Sequence, residues 1–416
     1  MGNSFENVNR GGDAGLKARS ESTPVADAPG YQPPKRQWSA RSRRKDCEGR
    51  PTYAAIDLGT NNCRMLIAVP ESCVDPRGRQ QFRVVDSFSR VVRLGEGVAS
   101  TGSLSEAAIE RTIDALRVCA KKMQALGTRR IKGVATEACR RGDNGDAFLA
   151  RVKERTGIDL ETISAEEESR LALAGCAPLI GRRKPRALVF DIGGGSTEVT
   201  WVAVSRRGSV EPLGVLSLTE GVVTLAERFN KGGPTPDEYA SLKQEISERL
   251  GGFDKAHGIT EQIARNRVQM LGTSGTVTTL GGIRLGLPRY DRSRVDGLLL
   301  ECADIEKICT DLVGMPARQR LNQPCIGPDR ADLVLVGCAI LEGILARWPV
   351  ARLRIADRGI REGLLVSMMR DDQACESMME KTGMQPQVLD SSGKPANNRK
   401  RRRRRTRKPA KGAQAS

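Results

Sequence analysis

Histidine occurs once in this 416-residue chain, at His257, and its eleven cysteines form no Cys-x-x-Cys pair. The cysteine count is odd, and the closest two, Cys302 and Cys309, lie seven positions apart. Zinc sites and dithiol redox motifs need closely spaced thiols or imidazoles, so neither is expected; scattered, reduced thiols of a cytoplasmic protein are. His257, in Lys255-Ala256-His257-Gly258, reads as a surface histidine between elements rather than a base. No apolar run approaches the roughly 18 residues of a membrane span and no signal peptide is visible, so a soluble protein with no membrane partner is expected. A Walker A lysine motif is missing as well, which argues against a P-loop nucleotidase.

Aromatic residues make up only 3% of the chain, against a formal net charge of +18. Residues 1–50 carry 10 basic and 6 acidic groups, and residues 371–416 carry 12 and 5, with nine of the basic ones between Arg399 and Lys408. Both ends have the polar, charged composition of segments that bury too little apolar surface to fold, so they are expected as disordered tails. The C-terminal run attracts polyanions, but it has no aromatics on which bases could stack, so any RNA contact there would be nonspecific. The remaining part, roughly 320 residues, suffices for two α/β domains.

Two segments of that central part share one pattern. Ala54-Ala55-Ile56-Asp57-Leu58-Gly59-Thr60-Asn61-Asn62 and Val189-Phe190-Asp191-Ile192-Gly193-Gly194-Gly195-Ser196-Thr197-Glu198 each bring an apolar strand to an Asp, then to Gly, then to small polar residues before a second apolar run. Glycine allows a tight turn and a close ligand approach. Successive N–H groups in such a turn, flanked by hydroxyls, form a concave anion site. An Asp at the strand end suits Mg²⁺, which prefers oxygen ligands and keeps much of its water.

The surrounding pattern also repeats. Tyr53–Leu58, Cys63–Val69 and 82–92 read as a strand meander, followed by a helix with a Ser103/Glu106 capping box and Ile109, Ile113, Leu116, Ala120 and Met123 at helical spacing. After the polar break at Arg182-Arg183-Lys184-Pro185, Ala187–Ile192, Glu198–Val204 and Val210–Leu218 repeat the meander. A strongly apolar helix is expected over about 330–346, and a hinge near 172–186, around Pro178 and Pro185.

The paired loops resemble those of the acetate kinase–sugar kinase–heat-shock-70–actin superfamily. Four further motifs narrow this: Ala135-Thr136-Glu137-Ala138-Cys139-Arg140, Ile163-Ser164-Ala165-Glu166-Glu167-Glu168-Ser169-Arg170-Leu171, Gly272-Thr273-Ser274-Gly275-Thr276 and Ala356-Asp357-Arg358-Gly359-Ile360-Arg361-Glu362-Gly363. In this order, from about Tyr53 to about Met369, the chain is similar to the exopolyphosphatase and guanosine-pentaphosphate phosphohydrolase (Ppx/GppA) family.

The resemblance implies an α/β fold of two ribonuclease-H-like (actin-like ATPase) domains flanking an interdomain cleft. Domain I would span 51–171 and domain II 172–370, with tails at 1–50 and 371–416. It implies a Mg²⁺-dependent hydrolase, Mn²⁺ being an alternate ion, that releases terminal phosphate from inorganic polyphosphate, guanosine pentaphosphate or both. Glu168 aligns with the family's catalytic base, and Glu198 with the acid that assists at the metal or water. Asp57, Asp191 and Glu198 are the implied metal residues. Phosphate would be held by Gly59, Thr60, Asn61, Arg140, Gly193, Gly194, Gly195, Ser196, Thr197, Ser274, Gly275 and Thr276. Family members of this length commonly form homodimers. The chain departs from the family motif at Ala165, where Gly is usual, and at Ser169, where Ala is usual; both bear on the placement of Glu168. The competing class is a binding protein for polyphosphate, alarmone or RNA with little or no catalysis. Four carboxylates beside an anion argue against it, because they repel the anion unless metal intervenes.

Overall fold

The structure is a computed structural model and describes residues 49–75, 80–229, 232–327 and 330–382; the rest of the expected tails, 1–48 and 383–416, lies outside these. The first lobe opens on β1 (Tyr53–Leu58), β2 (Asn62–Val74) and β3 (Gln80–Val91), an antiparallel meander. Ala54, Ala55, Ile56 and Leu58 are fully buried, which places β1 at the centre with both faces covered. α1 (Glu106–Ala125), β4 (Arg130–Ala135), α2 (Glu137–Arg141), α3 (Gly145–Thr156), β5 (Leu160–Thr162) and α4 (Ala165–Cys176) follow. β4 runs parallel to β1 and β5 parallel to β4, so the sheet order is β3-β2-β1-β4-β5.

The cap of α1 differs from expectation. Ser105, not Ser103, accepts the Ala108 N–H, at 3.3 Å. The Leu104 N–H is instead held by Asn144 Oδ1 at 2.8 Å, which keeps residue 104 outside the helix.

The second lobe restarts the pattern with β6 (Arg186–Ile192), β7 (Thr197–Val204) and β8 (Val210–Leu218). Beyond α5 (Pro236–Arg249), β9 (Val268–Thr273) and α6 (Gly275–Arg284) come β10 (Leu299–Glu301), α7 (Cys302–Gly314), α8 (Val334–Arg347), β11 (Arg352–Ala356) and α9 (Ile360–Thr382), with shorter turns between. The sheet order is β10-β11-β9-β6-β7-β8, the first lobe's order with β10 added at one edge. β10 has only three residues, too few for a period to show in the sequence. α8 starts at Val334, later than expected, and is buried on nearly every side, as an all-round apolar helix must be.

α4 leads from the first lobe to the second, and α9 returns. They cross where glycines remove the side chains: a Cβ on Gly175 would lie 2.1 Å from Gly359 O, and one on Gly363 would lie 2.1 Å from Leu171 O. Ile360, Leu364, Leu365, Met368 and Met369 pack with Tyr53, Ala55, Leu66 and Val134 of the first sheet. α9 also continues through 371–382, a stretch expected as tail. Tyr53 donates to Asp372 Oδ2 at 2.7 Å and Arg130 pairs with the same carboxylate, fixing this turn on the sheet. The polar outer face of a half-exposed helix reads as tail in sequence.

Candidate active site

The two glycine-containing turns are built alike. Gly59 N–H donates to Asn62 O at 3.0 Å and Gly193 N–H to Ser196 O at 2.9 Å, closing a four-residue turn at the end of β1 and of β6. Neighbouring loops take up the turn carbonyls: Val92 and Arg93 donate to Asn61 O, Gly95 to Thr60 O, Val222 to Gly193 O and Val223 to Gly194 O. The N–H groups of Thr60, Asn61, Gly194 and Gly195 donate to no backbone carbonyl among the described residues. The two turns face each other across the cleft. A Cβ on Gly194 would lie 3.0 Å from Asn61 N, and one on Gly195 would lie 2.5 Å from Thr60 Oγ1. Only glycine allows that approach.

One cleft between the lobes is lined by Asp57, Gly59, Thr60, Asn61, Glu168, Asp191, Gly193, Gly194, Gly195, Ser196, Ser274, Gly275 and Thr276. The third turn enters through the N-terminus of α6. Ser274 there has φ 140° and ψ 173°, a conformation nearly confined to glycine, and its hydroxyl accepts the Val277 N–H at 3.3 Å. Thr197 turns away from the cleft and donates to Glu220 O at 2.7 Å. His257 lies elsewhere, its ring 4.6 Å from that of Phe253.

Glu168 sits in the first turn of α4. Ser164 caps that helix, and Ala165 takes an ordinary helical position, so the absent glycine costs the loop nothing. Burial and the charge of Glu198 push the Glu168 carboxyl well above the usual carboxylate range, while Arg140 opposes them. Arg140 Nη1 donates to Glu168 Oε2 at 2.8 Å and to Ile163 O at 2.8 Å. The arginine therefore grips the glutamate instead of lining the cleft. Arg170 pairs with Glu167 at 2.6 Å on the exposed side of the helix.

Glu198, on β7, faces Asp191 across the β6–β7 pair and accepts from Ser217 Oγ at 3.1 Å. Desolvation raises it to about 7, and desolvation with the charge of Asp57 raises Asp191 to about 6. Asp57 is also raised, by burial, with Arg64 and Arg361 opposing.

Among the described residues no three acidic, cysteine or histidine side chains converge tightly enough to enclose a metal ion. The donor set nevertheless fits Mg²⁺ held chiefly through water and substrate oxygens. Its carboxylates lie at the strand ends, and Asn61 Oδ1 and Asn62 Oδ1 are buried acceptors with no hydrogen-bond partner among the described residues.

Several lining residues escaped the sequence reading. Arg64 and Asn62 come from β2, while Ile326, Leu333 and Val334 form an apolar wall. Arg330 lies against the third turn, its Nη1 3.5 Å from where a Gly275 Cβ would be. No disulfide joins the described cysteines, and no described helix is long and apolar enough to cross a membrane.

Comparison with known proteins agrees with this architecture. The Ppx/GppA phosphatase family model matches residues 73–372. Exopolyphosphatase 2 of Mycobacterium tuberculosis is 31% identical over 325 residues, covering 76% of this chain and 98% of that protein. The crystal structure of the Aquifex aeolicus Ppx/GppA family member superposes with a TM-score of 0.62 at 30% identity, over 77% of this chain and 98% of that one. An exopolyphosphatase from Cytophaga hutchinsonii, 24% identical, shares the fold with a TM-score of 0.66 over 77% and 98% of the two chains. Two lobes of one strand order, two facing glycine turns and a glutamate in the cleft they line thus coincide with a match over most of the chain, which belongs to the Ppx/GppA phosphatase family.

Proposed function

We propose that this protein is an exopolyphosphatase that removes the terminal phosphate of inorganic polyphosphate, with guanosine pentaphosphate as a second substrate of the same site. The observation that carries this reading is Glu168, held by Arg140 in a cleft whose rims are the two anion-cradling turns. Free N–H groups on both turns and the N-terminus of α6 would receive phosphate oxygens from three sides. Asp57, Asp191 and Glu198 would hold Mg²⁺, which when bound supplies charge neutralisation at the phosphate being transferred.

Glu168 would orient the attacking water and accept its proton. A carboxylate lining the cleft can take that role by accepting the water's hydrogen bond. The apolar wall of Ile326, Leu333 and Val334 limits bulk water on one side of the cleft. The name of the Mycobacterium tuberculosis relative supports polyphosphate as the first substrate to test.

The test is phosphate release by purified protein with Mg²⁺ from long-chain polyphosphate, guanosine pentaphosphate and ATP in parallel. Release from the polymer, lost in Glu168→Gln with binding retained, is the expected result. Folded protein that binds these anions but releases phosphate from none would instead be a binding protein.

A further inference from the structure

We propose that Glu137 is a positioning residue for the reaction: it locks the Arg140 guanidinium so that one edge alone is presented to Glu168. This rests on the reading of Glu168 as the base. Glu137 Oε2 accepts from both Arg140 Nε, at 3.0 Å, and Arg140 Nη2, at 2.8 Å. The remaining nitrogen, Nη1, then points at Glu168 Oε2 and at the Ile163 carbonyl. A guanidinium is planar and rigid, so fixing one edge fixes the direction of the other. Ile163 directly precedes Ser164, the cap of α4, so the same arginine also anchors the start of the helix that carries Glu168.

Glu137 is itself fixed from outside its own lobe. A Cβ on Gly195 would lie 2.9 Å from Glu137 Cγ and 3.1 Å from its Cβ, so the side chain packs directly against the second lobe's turn. The chain of contact runs from Gly195 through Glu137 and Arg140 to Glu168, linking the phosphate cradle of one lobe to the base of the other. All three charged side chains are largely withdrawn from water, at 10%, 18% and 12% exposure for Glu137, Arg140 and Glu168. Thr136 lines the cleft and Glu137 does not, so Glu137 acts through its neighbour and touches no reacting atom.

The experiment compares Glu137→Gln, Glu137→Asp, Arg140→Lys, the double variant that combines Glu137→Gln with Arg140→Lys, and Glu168→Gln. All are measured in full-length protein, with Mg²⁺ and polyphosphate, alongside thermal midpoints. Glu137→Gln keeps the shape but loses the charge and one acceptor oxygen. Its kcat is expected to fall roughly tenfold to a hundredfold, the range for a misplaced reacting group, with KM within twofold and the midpoint nearly unchanged. Glu137→Asp keeps the charge at shorter reach and recovers part of the loss. The double variant is no slower than the slower single one, because both remove the same constraint.

A kcat within twofold of wild type in Glu137→Gln overturns the proposal, as do losses that multiply in the double variant. An activity loss that follows the thermal midpoint across the series also overturns it, since that is what a packing role alone would give. Glu168→Gln separates the two ideas. If it stays active, the base reading falls and this proposal with it. If it is inactive while Glu137→Gln is normal, only the positioning role is lost.

Discussion

Arg64 and Glu198 occupy the same place in the two lobes. Each sits in the second residue pair back from its turn, Arg64 facing Asp57 across β1–β2 and Glu198 facing Asp191 across β6–β7. The duplicated hairpin thus places a cation at this position in one lobe and a carboxylate in the other. On the proposed reading, that asymmetry would let one scaffold receive an anion and hold a metal ion at once. Arg64→Gln is expected to raise KM for polyphosphate roughly tenfold while lowering kcat less, since a charge-assisted contact is lost from binding. Steady-state kinetics decide it; an unchanged KM would remove Arg64 from substrate binding.

Gly195 sits where the two rims lie against each other. A methyl there meets Thr60 Oγ1 at 2.5 Å and Glu137 Cγ at 2.9 Å. Gly195→Ala is expected to lower kcat/KM on the order of 100-fold by wedging the turns apart, while the thermal midpoint shifts only modestly. Kinetics with a melting curve on the same preparation test this, and near-normal turnover would mean that the cradle tolerates widening.

The Ser169 hydroxyl is buried with no hydrogen-bond partner among the described residues. Ser169→Ala removes an unsatisfied polar group and should stabilise the protein by about 1 kcal/mol. The expected rise in midpoint is about 2 °C with activity retained. A drop in midpoint would show that the hydroxyl has a partner in solution.

The carboxyls give stability a pH dependence of definite sign. Asp191 at about 6 and Glu198 at about 7 lie above their ordinary values because of burial, so each binds its proton more tightly folded than unfolded. Their contribution is whole below about pH 4 and is lost as pH rises through about 6 and 7. With chelator present the midpoint should fall between about pH 5 and 8, by roughly 5 °C, with Asp191→Asn flattening the slope. Excess Mg²⁺ should reverse the fall. A midpoint that is level across this window in chelator would refute the account.

The two turns that line the cleft were legible because each is local. Asp57, Gly59 and Asn61, or Asp191, Gly193 and Glu198, lie within a few residues of one another, and strand-turn-strand chemistry shows at that range. The repeated meander revealed the two lobes for the same reason. Long-range pairings were not legible. The Arg140–Glu168 bond spans 28 positions, so it did not show in the sequence. The apolar wall of Ile326, Leu333 and Val334 lies far along the chain from the turns it faces. Thr136-Glu137-x-x-Arg140 did hold a signal, an acid three residues before an arginine on a short helix, which becomes informative only once the acid is known to be buried and the arginine largely withdrawn from water.

The return of α9 to the first sheet has a consequence for synthesis of the protein. Ile360, Leu364, Leu365, Met368 and Met369 cover a face of that sheet whose own residues, Tyr53, Ala55, Leu66 and Val134, are made hundreds of codons earlier. On the ribosome the N-terminal half therefore emerges with an uncovered apolar surface while the whole second lobe is still being translated. The lobe made first is the last to be completed, and that interval is when the nascent chain most needs protection from aggregation.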